Sequence, residues 1–140
     1  KAKASLLHVL DQGDSSRFED LPVETSFENL FVVPSQVADN ISPADVMGRQ
    51  TVKEFVEWTK TRYDRVIIDS PPFGIVSDPV VLGQVAGAVI IVSRLGRSRY
   101  QPLVHAVREF RHAGCKVIGV VLNDVPFRGE SYTHYDYRRY

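Results

Sequence analysis

The stretch Arg65 to Asp78, R-V-I-I-D-S-P-P-F-G-I-V-S-D, carries the residue with the clearest chemical potential. Val66, Ile67 and Ile68 form an apolar run too short for a helix, and Ser70, Pro71 and Pro72 forbid further ladder pairing. This predicts a buried strand over 65–69 that ends on the carboxylate of Asp69. In an open α/β sheet ligands bind at the carboxyl ends of the strands. A carboxylate in so apolar a setting needs a cation or hydrogen bonds to offset its desolvation, and in nucleotide-hydrolysing folds a residue so placed holds Mg²⁺. Asp69 is thus a candidate metal and catalytic residue. An aspartate that caps the following turn is the other reading of the same residue.

Three arginines, Arg94, Arg97 and Arg99, follow a second apolar run and would lie at that same ligand end, where Arg97 in particular could neutralise a phosphate. On residue type a solvated basic loop is the favoured reading of the three. His8, His105, His112 and His134 have no metal-ligand spacing, and His105 and His112, seven apart, share one face of an expected helix. Cys115 precedes an apolar strand and reads as a packed thiol rather than a nucleophile.

The elements that must position these groups alternate between strand and helix. Leu6 to Leu10 suggest a short helix ending near Gly13, followed by loop from Asp14 to Arg17. Leu30 to Val33 is a short buried strand stopped by Pro34, and Ser42-Pro43 is a helix start. Val52, Phe55 and Val56 at helical spacing predict a helix over 51–63 that leads into the Asp69 strand. Asp78-Pro79 begins another helix, broken by Gly87. Strands are predicted over 88–93 and 117–122, with an amphipathic helix over 101–112 between them, stopped by Gly114. Strands apolar on both faces and alternating with helices imply a parallel sheet covered on both sides, with strands near 30–34, 65–69, 88–93 and 117–122.

Length and composition bound the possibilities. The 140 residues suit one domain with a real core, expected over 1–130, and a flexible tail over 131–140 in which Tyr132, Tyr135, Tyr137 and Tyr140 make up four of the six tyrosines. Seventeen basic and seventeen acidic residues cancel, so no global field favours nucleic acid or an anionic membrane. A single cysteine excludes an internal disulfide and agrees with a reducing compartment. No apolar run approaches the roughly 18 to 20 residues that span a bilayer, which leads to the expectation of a soluble chain. The first residue is Lys1, which suggests a piece of a longer polypeptide.

The run Y-D-R-V-I-I-D-S-P-P, then S-D, then A-V-I-I-V-S-R, then K-V-I-G-V-V-L-N-D-V, then a tyrosine-rich end, resembles the cytoplasmic kinase domain of bacterial tyrosine autokinases. These are the capsular and exopolysaccharide chain-length-regulating kinases of the deviant Walker A P-loop ATPase class. The resemblance is specific from Arg62 to Asp124 and weaker from about Leu6 to Met47. It implies an α/β fold with a P-loop-NTPase-like parallel sheet flanked by helices, and an ATP- and Mg²⁺-dependent enzyme that phosphorylates the C-terminal tyrosines of a neighbouring subunit. Asp69 would then be the Walker B carboxylate, Asn123 the adenine reader, and Tyr132, Tyr135, Tyr137 and Tyr140 the autophosphorylation sites. An amide suits a base edge because it offers a donor and an acceptor together, although Asn123 also suits a turn. The implied partners are further copies of the same subunit and a membrane chain-length-determinant or activator domain, with the protein at the inner face of the bacterial plasma membrane.

One departure from the family pattern is sharp. Phosphoryl transfer needs a cradle of backbone N–H groups and a lysine, the G-x-x-x-x-G-K-[ST] loop, and none of the nine glycines stands in that pattern. The resemblance therefore covers the C-terminal portion of a family domain without its N-terminal phosphate-loop unit, and these residues alone are not expected to bind ATP usefully or act as a kinase. A non-catalytic partner or regulatory module, with the tyrosine tail as phosphate acceptor, is the alternative from a different functional class. A partitioning-type ATPase is a third, in which the tyrosine tail has no evident use.

Overall fold

The computed structural model describes residues 4–35, 41–75 and 78–125. The expected helices form close to their sequence boundaries. Leu6–Gln12 is α1, and Gly13 closes it in the left-handed conformation (φ 71°) that a side chain would strain. Pro43–Met47 is α2, with Pro43 in its first turn after Ser42. Gln50–Arg62 is α3, Asp78–Ala86 is α4 and Tyr100–His112 is α5. The expected loop at Asp14 to Arg17 is instead the start of a 3₁₀ helix, Ser15–Asp20, because the Asp14 carboxylate accepts the Ser16 N–H at 3.2 Å and so caps a short helical turn.

These helices build the core. Val9 and Leu10 of α1, Phe18 of the 3₁₀ helix, Leu21, Val46 of α2 and Val52 of α3 form one buried cluster, against which Phe55, Trp58 and Leu82 pack. Phe18 meets Phe55 edge-on with ring centroids 5.1 Å apart, and Phe55 stacks on Trp58 at 5.8 Å. Arg62 covers the outer side of this cluster, its guanidinium 5.4 Å from the Trp58 ring and 2.6 Å from Glu19.

The sheet departs from expectation in three places. First, the predicted strand over 30–34 is neither buried nor parallel. Val23–Glu24 (β1) and Phe31–Val32 (β2) pair antiparallel as a small hairpin, and Leu30, Phe31 and Val32 are exposed. A short apolar run does not distinguish a central strand from a hairpin arm; here Asn29 supplies the positive φ (59°) of a tight connection. Second, residues 65–70 run without regular structure and join no ladder among the described residues, so Ile67 is 94% exposed rather than buried. Third, the parallel part of the sheet consists of Val89–Arg94 (β3) and Val117–Asn123 (β4), in register from Ile90 opposite Gly119 to Arg94 opposite Asn123. Alternation along β3 turns Val89, Ile91 and Ser93 inward, with Val89 beneath α4, whereas Ile90 and Val92 are 55% and 64% exposed. Among the described residues β3 is therefore covered on one face only, and β4 is exposed on both faces beyond Val117, rather than buried on both as expected. The tail, including Tyr132, Tyr135, Tyr137 and Tyr140, lies outside the described residues.

Candidate functional site

Parallel pairing places the carboxyl ends of β3 and β4 side by side, and this end gathers Asn123 and the arginines that follow β3. β3 ends on Arg94 and β4 on Asn123, and these two are ladder partners. The Leu95 N–H donates to the Asn123 carbonyl at 3.0 Å, so the ladder extends one step into the loop that follows β3. That loop turns back sharply. The Ser98 N–H donates to the Arg94 carbonyl at 2.9 Å and the Arg94 N–H donates to Ser98 Oγ at 3.0 Å. Arg97 N–H also approaches the Arg94 carbonyl, at 3.3 Å, and Arg99 stands immediately before α5. Arg94 thus ends β3, Arg97 lies in the turn that follows it, and Arg99 stands at the start of α5.

Asp124, which the sequence reading did not single out, completes this end. Its carboxylate lies 2.7 Å from the Arg94 guanidinium, its φ is 59°, and its N–H donates to Asn123 Oδ1 at 2.8 Å. The signal for it was the Asn-Asp pair closing an apolar strand, since both residue types tolerate the left-handed region. Asn123 is exposed, and its Nδ2 makes no hydrogen bond among the described residues.

Asp69 is placed differently. It is exposed, at the end of the unladdered stretch 65–70, and no hydrogen bond or ion pair among the described residues joins it to the Arg94–Asn123 group. Among the described residues no strand lies beside Val66 and Ile67, and Asp69 is exposed rather than in the low-dielectric setting that its apolar neighbours implied. Among the described residues no three His, Cys, Asp or Glu groups converge on a metal position. A lone carboxylate still suits Mg²⁺, which keeps several waters and takes one or two carboxylates together with phosphate oxygens. By residue type Asn123 offers a donor and an acceptor and Asp69 a carboxylate, but no contact among the described residues brings the two together.

Of the remaining polar candidates, His134 lies outside the described residues and His8 is exposed on α1. His105 and His112 are exposed on α5, and His105 packs edge-on to Phe73 with centroids 5.9 Å apart. Cys115 is 6% exposed, its thiol points to the Val80 carbonyl at 3.8 Å, and burial pushes its pKa up, away from the reactive thiolate. No described helix is long and apolar enough to cross a membrane.

The chain is similar to known bacterial tyrosine kinases in sequence and in fold. It is 31% identical over 117 residues to the tyrosine-protein kinase wzc of Salmonella typhimurium, a match covering 83% of this chain and 16% of that protein. It is 32% identical over 110 residues to the tyrosine-protein kinase CpsD of Streptococcus pneumoniae, covering 78% of this chain and 48% of that protein. The solved VpsO kinase domain superposes with a TM-score of 0.76 at 25% identity, covering 89% of this chain and 60% of that one. The BceF tyrosine kinase domain gives a TM-score of 0.73 at 27% identity, covering 87% and 49%. No protein-family model matches the chain. The chain therefore spans less than half the length of these curated relatives. Over most of its own length, it is homologous to part of the kinase domain of bacterial tyrosine autokinases.

Proposed function

We propose that these 140 residues are the C-terminal portion of the kinase region of a tyrosine autokinase that regulates capsular or exopolysaccharide synthesis and export. In this reading Asp69 is the Walker B carboxylate that holds Mg²⁺ or the water bound to it. Asn123 reads the adenine edge of ATP and Arg97 approaches phosphate. Tyr132, Tyr135, Tyr137 and Tyr140 accept phosphate from the active site of a neighbouring copy. The region would work at the inner face of the bacterial plasma membrane with a membrane chain-length-determinant or activator domain.

The observation that supports this best is the convergence of Arg94, Arg97 and Asn123 at the carboxyl ends of β3 and β4, where open α/β sheets take their ligands. Asp69 would join them once a strand lay beside Val66 to Ile68 and carried the phosphate loop. The sequence of these 140 residues also favours a second reading, because it contains no G-x-x-x-x-G-K-[ST] loop: a regulatory partner that accepts phosphate on its tyrosines without binding nucleotide itself.

Mass spectrometry of the chain co-produced with a loop-containing kinase of the family tests the shared element of both readings. Phosphate is expected on one or more of the four tail tyrosines, and phosphate on none of them would remove the autokinase assignment. Isothermal titration of the 140-residue chain with Mg-ATP then separates binding from acceptance. No micromolar site is expected, and a single one would show that these residues build a phosphate cradle of their own.

A further inference from the structure

The end of the parallel pair carries a sequence of contacts in which each holds the next. Both backbone polar groups of Arg94 are bound by the loop after β3, its N–H by Ser98 Oγ at 3.0 Å and its carbonyl by the Ser98 N–H at 2.9 Å. The side chain of Arg94 then reaches across to its ladder neighbour and pairs with the Asp124 carboxylate at 2.7 Å. Asp124 has a φ of 59°, a left-handed conformation that aspartate tolerates more readily than most residues but less readily than glycine, so the Arg94 pair adds to its hold. In that conformation its N–H meets Asn123 Oδ1 at 2.8 Å. A backbone N–H can only donate, so the atom that faces it is the amide oxygen, and Nδ2 must point the other way.

We propose that Arg94 and Asp124 are positioning residues, a latch that holds the Asn123 amide in one orientation with Nδ2 as donor and the second Oδ1 lone pair as acceptor. The orientation narrows what the amide can read at the N7 edge of a purine: there a fixed donor beside a fixed acceptor matches adenine, which presents N7 beside an amino group, and mismatches guanine, whose N7 and O6 both accept. The inference rests on the reading of Asn123 as the base-contacting residue, but it adds the residues that set its selectivity. It needs no phosphate cradle, so a nucleoside is the proper probe.

The test is NMR of the 140-residue chain with adenosine and guanosine, following the Asn123 side-chain NH₂ signals, identified by their loss in Asn123→Ser. Three proteins are compared: wild type, Arg94→Gln, and Arg94→Gln combined with Asp124→Gly. Wild type should show an ordered Asn123 amide that responds more to adenosine than to guanosine. Arg94→Gln should loosen the amide and reduce the preference about two- to fivefold, the range for a solvent-exposed ion pair. The double variant should restore both, because glycine adopts the left-handed turn without an ion pair to hold it. Amide order and preference unchanged in Arg94→Gln, or not recovered in the double variant, would overturn the latch. Amide order that follows the latch while neither nucleoside shifts Asn123 would instead uphold the latch and overturn Asn123 as a base reader.

Discussion

Gly83 of α4 and Cys115 before β4 meet so closely that a Cβ at position 83 would lie 3.1 Å from Cys115 Sγ, and also 3.0 Å from Val89 Cγ2 and 3.2 Å from Phe110 Cδ1. The helix approaches the sheet at this point because position 83 has no side chain. Gly83→Val should therefore destabilise the fold by about 1–3 kcal/mol through overpacking. Combining it with Cys115→Ala should recover part of that loss, since one of the three obstructing atoms is removed. Urea denaturation of the two single variants and the double checks this; strictly additive losses would contradict the contact.

Cys115 should also report on the fold through its titration. Burial raises its pKa above the ordinary 9.0, so the folded state retains the thiol proton longer than the unfolded chain does. The stability this contributes is present below pH 9.0 and is lost as pH rises from there through the raised value. Alkylation of Cys115 by iodoacetamide should be slow in the folded chain and should accelerate on denaturation. A rate equal to that of a free thiol would contradict its burial.

Leu21 and Ile67 should respond oppositely to the same change. Leu21 is 1% exposed within the helical core, so Leu21→Ala should cost about 2–5 kcal/mol. Ile67 is 94% exposed and extended, so Ile67→Ala should alter the stability of the 140-residue chain by less than about 0.5 kcal/mol. Thermal or chemical denaturation gives both values, and a large loss at Ile67 would mean that another strand covers it in solution.

The Ile67 edge also predicts behaviour in solution. Val66, Ile67, Ile90 and Val92 expose apolar side chains, and the N–H groups of 65–70 have no backbone partner among the described residues. Such edges recruit further chains. Sedimentation should show self-association of the 140-residue chain at concentrations where Ile67→Lys is less associated. Equal association of the two proteins would place the contact elsewhere.

Local chemistry was legible in the sequence wherever neighbours in the chain decide the outcome. The apolar spacing of Val52, Phe55 and Val56, the Pro43 start and the Gly13 stop placed α1, α2 and α3, and the runs before Arg94 and Asn123 placed β3 and β4. Helices and their ends depend on contacts a few residues apart, so their pattern is written in the order of the chain. Three features depended instead on residues far apart. A strand becomes one only when another strand lies beside it, so Val66 to Ile68 and Leu30 to Val33 read alike from sequence, yet among the described residues the first joins no ladder and the second yields an arm of an exposed hairpin. The exposure of Asp69 follows from the same cause. The contact of Arg94 with Asp124, thirty residues away in the chain, exists only because the parallel register brings Arg94 opposite Asn123, and that register is a property of the folded sheet.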